Sequence, residues 1–192
     1  MDYTLSVLVE NQPGVLARIS GLISGRGFNI RSIAAGETED STITRIIMVV
    51  AGDDRVIDQV KKQLGRLVDV IGITDLTGIP VVDRELALVK VSSTVSRRTE
   101  VFQIVDVFRG KIVDIAHKSL TIEVTGETEK VEALIEMLKP FGINEIVRTG
   151  KITIARGEVV NEKGGENRSP EDEGSWIRLS SPGRENEKGE RG

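Results

Sequence analysis

The residues best suited to chemistry form a polar turn, Asn11-Gln12-Pro13-Gly14, that leads directly into an apolar helical pattern. A helix N-terminus presents backbone N–H groups without intrahelical partners and the positive end of the helix dipole, so it favours a small anion such as a carboxylate. Gly14 lets a ligand approach the backbone without meeting a Cβ. The same residues are also typical of an ordinary strand-to-helix turn, in which Asn11 caps the turn and Gly14 relieves it. Spacing alone leaves both interpretations open.

Composition excludes several other kinds of chemistry. Lys and Arg number 26 against 30 Asp and Glu, a net charge of −4, so the chain lacks the basic excess that holds nucleic acid. It has no cysteine and one histidine, His117, too few ligands for a thiolate or imidazole metal site, and we assign His117 no role. No stretch reaches the roughly 18 apolar residues of a membrane span, and the N-terminus carries no signal region. We expect a cytoplasmic protein without metal, nucleic acid or membrane.

Hydrophobic periodicity in the N-terminal half predicts the element order βαββαβ. The predicted elements are a strand at 3–9, a helix from Pro13 that ends at Gly25, hairpin strands at 28–37 and 42–51, a helix opened by Asp53 and Asp54, and a strand at 68–76. Pro13 suits a first helical turn, and the carboxylates of Asp53 and Asp54 suit the helix N-terminus that they precede.

The same order recurs after Gly78-Ile79-Pro80. The predicted elements are a strand at 85–92, a helix at about 97–109, hairpin strands at 111–116 and 119–125, a helix at 128–139 and a last strand near 143–156. The fold class is therefore α+β, with two tandem ferredoxin-like βαββαβ domains whose antiparallel sheets carry helices on one face. Because such a sheet leaves its other face uncovered, we expect a second chain to extend a sheet or to cover a face, which makes at least a homodimer.

Composition changes abruptly near Val160, and the chain from Asn161 on is charged and rich in glycine. Such a segment buries too little apolar surface to offset its ordering entropy, so it is predicted to be a flexible charged tail. It contains one small apolar island, Ser175–Leu179, and docking of this island on a partner is a hypothesis. The predicted domain boundaries are 1–77 for the first domain, 78–83 for a linker, 84–158 for the second domain and 159–192 for the tail.

Several of these segments resemble the regulatory small subunit of acetolactate synthase, also called acetohydroxyacid synthase, which begins with an ACT domain. The similar segments are Leu5–Ile33, Ile46–Val50, Gln63–Val70, Arg84–Val91 and Phe108–Asp114. Together they span nearly all of residues 1–158, and the tail is the part of this chain in which it departs from the family.

The resemblance implies a regulatory, non-catalytic subunit. It implies binding to a large catalytic subunit, activation of that subunit, and feedback inhibition by valine in branched-chain amino-acid biosynthesis. Thiamine diphosphate, magnesium and FAD belong to the large subunit in this family, so this chain is expected to carry no cofactor. Gly52-Asp53-Asp54 is not the Gly-Asp-Gly motif that binds the thiamine cofactor.

In this family the effector lies between the ACT domains of two chains. The residues that match its site are Asn11, Gly14, Val15, Leu16, Asn29 and Ile30. Backbone N–H groups from Gly14 to Leu16 are then expected to hold the valine carboxylate, and the side-chain carbonyls of Asn11 and Asn29 to accept from its ammonium group. Leu16 and Ile30 would line the isopropyl pocket. Because a methylene group is worth only about 1–3 kcal/mol in such a pocket, leucine or isoleucine is expected to bind more weakly.

Other functions fit the residues less well. RNA-binding domains of the same element order stack bases on strand aromatics, but aromatic residues are 3% of this chain. A small phosphatase needs Arg and Asn around a phosphate loop, which Gly14 to Arg18 imitates only in part. Arg97-Arg98 lies among carboxylates and is typical of a solvated helix face. The main alternative is a free-standing ACT-type sensor acting on another enzyme or a transcription factor, and the similarity of the second domain argues against it.

Overall fold

A computed structural model describes residues 1–157 of the chain. The predicted tail at 159–192 and its apolar island Ser175–Leu179 lie outside the described residues. Within those residues the α+β prediction is confirmed, because two antiparallel sheets each carry two helices on one face.

The N-terminal half has the predicted order βαββαβ. Its elements are β1 (Asp2–Glu10), α1 (Val15–Ser24), β2 (Asn29–Glu37), β3 (Ile43–Ala51), α2 (Asp54–Leu64) and β4 (Val70–Asp75). The strand order is β2-β3-β1-β4, so that β2 lies at one edge of the sheet. Asp53 caps α2 as its sequence position predicts, since its side chain accepts a hydrogen bond of 2.9 Å from the backbone N–H of Val56.

The C-terminal half repeats this arrangement with one additional strand. Its elements are β5 (Val81–Ser92), a 3₁₀ turn (Val95–Arg97), α3 (Arg98–Val107), β6 (Lys111–Ile115), β7 (Ser119–Gly126), α4 (Thr128–Leu138), a second 3₁₀ turn (Lys139–Phe141), β8 (Ile143–Arg148) and β9 (Ile152–Ala155). The order is β6-β7-β5-β8, and β9 pairs with β5 outside this path.

Each sheet encloses its own apolar core between its strands and its two helices. In the first core Leu5 of β1, Ile19 of α1 and Leu64 of α2 are fully buried. In the second core Leu120 of β7 and Leu134 of α4 are fully buried. Each of these side chains contributes about 1.5–3 kcal/mol by leaving water, so either helix pair is held mainly by its apolar stripe.

Two predicted boundaries were wrong around the last strand. The single strand expected near 143–156 is divided into β8 and β9, because Gly150 adopts a φ of +80° between them. The strand expected to begin at 85 begins at Val81 instead, so residues 81–83 of the predicted linker belong to β5. Both differences have one cause, since β9 turns back to pair with residues 81–84.

The outer face of the N-terminal sheet is partly covered within the chain itself, and the homodimer expected from an uncovered sheet face stays a prediction. On the face that points away from its helices, Ser6, Leu8, Ile47 and Val49 are buried within a single chain. A small groove of about 250 Å³ is lined on one side by β2 and β3 and on the other by β9, so β9 lies against this region of the sheet. The corresponding face of the C-terminal sheet keeps exposed apolar side chains, among them Leu88 and Val147.

Candidate functional site

The turn between β1 and α1 has an unusual backbone at its last residue. Gly14 is the N-cap of α1 and adopts a φ of +87°, a conformation that a residue with a Cβ rarely tolerates. No side chain caps the helix, and the side chain of Asn11 bonds the β2–β3 hairpin instead. The interpretation in which Gly14 relieves the turn is confirmed.

Backbone hydrogen bonds around this turn leave several N–H groups without an acceptor. The N–H of Val15 donates to the carbonyl of Gln12 at 3.3 Å, and that of Arg18 donates to the carbonyl of Gly14 at 2.9 Å. The N–H groups of Gly14, Leu16 and Ala17 have no acceptor within residues 1–157. Ala17 was not among the predicted site residues. Its N–H is free because the first helical hydrogen bond is the one from Arg18 to Gly14, and only the structure shows where that bond lies.

Asn11 is oriented by two acceptors at the tip of the β2–β3 hairpin. Its Nδ2 donates to the carbonyl of Ser41 at 2.9 Å and to Glu37 Oε1 at 3.1 Å. Because both partners are acceptors, the amide nitrogen must face the hairpin and Oδ1 faces away from it. The Asn11 side chain therefore keeps an acceptor available beside the turn.

The hairpin tip is itself ordered by Asp40. The side chain and backbone N–H of Thr42 donate to Asp40 Oδ1 at 2.7 and 2.9 Å, and these hydrogen bonds lower the pKa of the Asp40 carboxyl. Thr42 in turn accepts the backbone N–H of Asn11 at 2.7 Å. The hairpin thus holds both the backbone and the side chain of Asn11.

A partly buried ion pair supports the helix side of the turn. Arg18, one turn into α1, donates to both carboxylate oxygens of Asp69 at 2.8 and 3.0 Å. Asp69 lies between α2 and β4, and its backbone carbonyl accepts the N–H of Glu10 at 2.9 Å. Asp69 therefore holds both ends of the turn, since its carbonyl bonds Glu10 before the turn and its carboxylate bonds Arg18 after it.

The predicted site residues fall into two separate groups in one chain. Asn11, Gly14 and Leu16 lie together and are exposed, while the neighbouring Val15 is buried in the core. Asn29 begins β2, whereas Asn11 contacts Glu37 at its end. At about 3.3 Å per residue, the nine residues of β2 separate the two asparagines by about 25 Å. The structure does not bring all six predicted residues to one point within a chain.

The edge formed by β2 and α1 is apolar and open. β2 pairs only with β3 among the described strands. Leu16 of α1 is 46% exposed and Ile33 of β2 is 37% exposed, and Ile30 of β2 packs at the margin of the core. Edge strands with exposed apolar side chains are typical sites of pairing with another chain.

A cleft lies between the two halves of the chain, and no motif in the sequence indicates it. It has a volume of about 790 Å³, and its walls include Asn29, Arg31 and Ser32 of β2 and Thr149 to Lys151 of the β8–β9 turn. Its cations are neutralised within the described chain: Arg31 pairs with Asp2 at 3.0 Å, and Arg148 donates to Glu85 and Glu132 at 2.6 to 2.7 Å. Hydrogen bonds to Glu85 raise the pKa of Arg148, so this side chain stays charged and bound to Glu85.

Two features of the described residues bear on other functions. Residues 1–157 contain no cluster of three or more His, Asp or Glu side chains able to hold a metal ion. None of the helices in this part of the chain has the length and apolar character needed to cross a membrane. The cytoplasmic location stays a prediction.

Comparison with known proteins gives the family of both halves. Residues 5–72 match the family described as the AHAS small subunit-like ACT domain, and residues 84–157 match the family described as the small subunit of acetolactate synthase. The acetolactate synthase small subunit of Aquifex aeolicus is 50% identical over 162 residues, which cover 84% of each chain. That of Mycolicibacterium smegmatis is 48% identical over 81% of this chain and 91% of its own.

A solved structure supports the same relationship. The acetolactate synthase small subunit of Thermotoga maritima matches with a TM-score of 0.76 and 40% identity, covering 83% of this chain and 99% of its own. The predicted ferredoxin-like fold and the resemblance stated from the sequence are both confirmed. The chain belongs to the acetolactate synthase small-subunit family.

Proposed function

We propose that this chain is the regulatory subunit of an acetolactate synthase: it binds the large catalytic subunit, raises its activity and makes it sensitive to inhibition by valine. The observation that carries the proposal is the similarity of both halves of the chain to one family, whose members are named as small subunits of this enzyme. A free-standing ACT sensor does not account for the second half.

Catalysis belongs to the partner in this proposal. Thiamine diphosphate, magnesium and FAD are assigned to the large subunit, and no cofactor is assigned to this chain. The described residues contribute binding groups, namely free backbone donors, amide side chains and an apolar edge, which suit a small zwitterion better than a reacting substrate.

The proposed valine site is built on the turn before α1. The free N–H groups of Gly14, Leu16 and Ala17 hold the carboxylate, and Asn11 Oδ1 accepts from the ammonium group. Leu16 contacts the isopropyl group. Val15 supports the site from the core, since its side chain is buried and its N–H is already bonded.

Asn29 and Ile30 complete the site from a second copy of the chain. If the β2 edges of two copies pair antiparallel about a two-fold axis, the end of one β2 adjoins the start of the other. Asn11 of one copy then approaches Asn29 of the other, which the separation of about 25 Å within one chain forbids. The homodimer is therefore a requirement of the proposed site.

Regulation follows from a site shared between two chains. Valine stabilises the arrangement of the dimer in which the two half-sites meet, and the large subunit responds to that arrangement. Valine must bind this arrangement more tightly than the activating one. By linkage, the factor by which valine changes the affinity of the chain for the large subunit equals the factor by which the large subunit changes its affinity for valine.

Isothermal titration with valine tests the site, and subunit mixing tests its composition. Asn11→Ala and Asn29→Ala are each expected to abolish binding, whereas Gln103→Ala, an exposed amide on α3, is expected to bind as the parent does. A mixture of the two inactive variants is expected to regain binding, because a mixed dimer has one site with both asparagines intact. Failure of the mixture to bind, in dimers shown to exchange subunits, would contradict the shared site.

Co-purification with the large subunit tests the rest of the proposal. We expect a stable complex whose acetolactate synthase activity exceeds that of the large subunit alone and falls when valine is added. A chain that binds valine yet neither binds nor activates the large subunit would instead be a free-standing sensor.

A further inference from the structure

The β8–β9 turn of the C-terminal half contacts β2, the strand that carries Asn29 and Ile30. The backbone N–H of Lys151 donates to Ser32 Oγ at 3.1 Å, although 119 residues separate them. A Cβ placed on Gly150 would lie 2.6 Å from Ser32 Oγ and 3.2 Å from the carbonyl oxygen of Ile33. Only a glycine fits there, and its φ of +80° imposes the same restriction.

The contact falls at an irregular point of β2. The pairing of β2 with β3 shifts between Ile30 and Ser32, so Arg31 is an additional residue in the strand. Ile30 lies opposite Val50, which is in the core, and Ser32 lies opposite Val49 on the other face. A bulge of this kind redirects the side chains beside it and needs support, because it interrupts the ladder of hydrogen bonds.

The turn is held firmly on its own side. Leu86 in β5 accepts the backbone N–H of Thr149 at 3.0 Å and donates its own N–H to Thr149 Oγ1 at 3.1 Å. Arg148 is bonded through two nitrogens to Glu85, which is 4% exposed, and Lys151 Nζ pairs with Asp83 at 2.6 Å. The turn is thus a rigid support rather than a loop that follows β2.

We propose that the Thr149–Lys151 turn is a positioning element of the valine site, which fixes the β2 bulge and with it the orientation of Asn29 and Ile30. The identity of the ligand in this inference rests on the proposed function, whereas the contact between the turn and β2 does not. It gives the C-terminal half a part in effector binding without any of its residues touching valine. It also links the valine half-site physically to the domain that carries β8 and β9.

The test compares alanine substitutions of two glycines that have similar positive φ angles. Gly150→Ala adds a Cβ at the contact, whereas Gly78→Ala adds one at a φ of +74°, where no described atom lies within 4 Å. Hydrogen–deuterium exchange of residues 28–37, measured on the full chain without valine, reports the bulge directly. We expect faster exchange in Gly150→Ala and parental exchange in Gly78→Ala.

Valine titration of the same variants reports the consequence for the site. Gly150→Ala is expected to weaken valine binding by about tenfold or more, because misplacing a hydrogen-bonding half-site loses at least one bond. Ser32→Ala removes the hydrogen bond without adding bulk and is expected to change exchange and affinity in the same direction by less. Gly78→Ala should stay within about twofold of the parent.

The outcomes separate this inference from the proposed function. If β2 exchange in Gly150→Ala matches the parent, or if exchange rises while valine affinity is unchanged, the positioning role is overturned. If the parent binds no valine, alone or with its large subunit, the proposed function fails and so does the effector role of the turn, whereas the exchange result still decides whether the turn holds the bulge.

Discussion

Arg18 and Asp69, 51 residues apart in the chain, form a two-point ion pair in which Nε and Nη2 donate to the two carboxylate oxygens at 3.0 and 2.8 Å. Asp69 is 8% exposed, while half of the Arg18 side chain is open to solvent. The same aspartate receives the backbone N–H of Glu10 on its carbonyl. One residue therefore joins the end of β1, the first turn of α1 and the connection before β4.

Asp69→Asn is expected to destabilise the chain and to weaken valine binding, because the guanidinium loses its charged partner and the amide cannot accept at both positions. A charged hydrogen-bonding partner lost at a partly buried site costs about 1–3 kcal/mol, which urea unfolding would measure. Arg18→Lys should fall between parent and Asp69→Asn, since an ammonium cannot form the parallel pair of bonds.

The matched control is an exposed ion pair. Lys90 and Glu145 lie 3.6 Å apart with both side chains largely exposed, so Glu145→Gln is expected to change stability by less than about 0.5 kcal/mol. Equal losses in Asp69→Asn and Glu145→Gln would show that the ion pair does not support the turn.

Gly14→Ala is expected to lower both stability and valine affinity. The φ of +87° costs a residue with a Cβ about 1–2 kcal/mol, and relief of that strain would rotate the free N–H groups of the turn. Gly21→Ala in the middle of α1 is the control, because nothing in the described chain lies within 4 Å of its Cβ and alanine favours a helix by about 0.5–1 kcal/mol. Thermal unfolding should therefore shift in opposite directions in the two variants.

Periodicity and turn residues predicted the elements well because each depends on neighbours in the chain. The stripe of Ile19 and Ile23 in α1, and the alternation in β1, report burial directly. The division of the last strand was missed because it depends on β9 returning to residues 81–84, a contact between distant parts of the sequence. A glycine at 150 indicates a turn only once that pairing is known.

The site was predicted from the resemblance more than from the residues. Asn11 and Gly14 are recognisable as a turn before a helix, but Asn29 lies about 25 Å from them along β2, and no spacing within one chain indicates that they act together. The roles of individual N–H groups also required the structure. Val15 donates to Gln12. The first helical hydrogen bond runs from Arg18 to Gly14, so Ala17 is left free, and this depends on the register of the first helical turn.

Ile33→Glu is expected to dissociate the homodimer on which the proposed valine site depends. Ile33 is exposed on β2, the edge strand of the N-terminal sheet, and a charge there would be buried without a partner when two edges pair. Sedimentation velocity should show a dimer for the parent and a monomer for the variant, with valine binding lost in parallel.

Met137→Glu provides the comparison for this loss. Met137 is 51% exposed on α4 of the C-terminal half, and the added charge there stays in water. A dimer that survives Ile33→Glu but not Met137→Glu would place the interface on the C-terminal half and would remove the argument for a site shared across β2.

Tyr3 offers a direct check on how the start of β1 is joined to α2. Its hydroxyl donates to Asp54 Oδ1 at 2.5 Å, and this bond, assisted by desolvation and by the nearby carboxylates, raises the pKa of Tyr3 to about 12. Because Tyr3 is the single tyrosine of the chain, its ionisation is visible by absorbance without interference from another phenol.

The raised pKa of Tyr3 has a defined consequence for stability. The unfolded chain loses the phenol proton near pH 10, whereas the folded chain keeps it to about pH 12, so the stabilisation is complete below pH 10 and is lost as pH rises through 12. Asp54→Asn is expected to return the titration towards pH 10 and to flatten the fall in stability over this interval. A midpoint near pH 10 in the folded parent, with circular dichroism unchanged, would show that the hydroxyl of Tyr3 does not donate to Asp54.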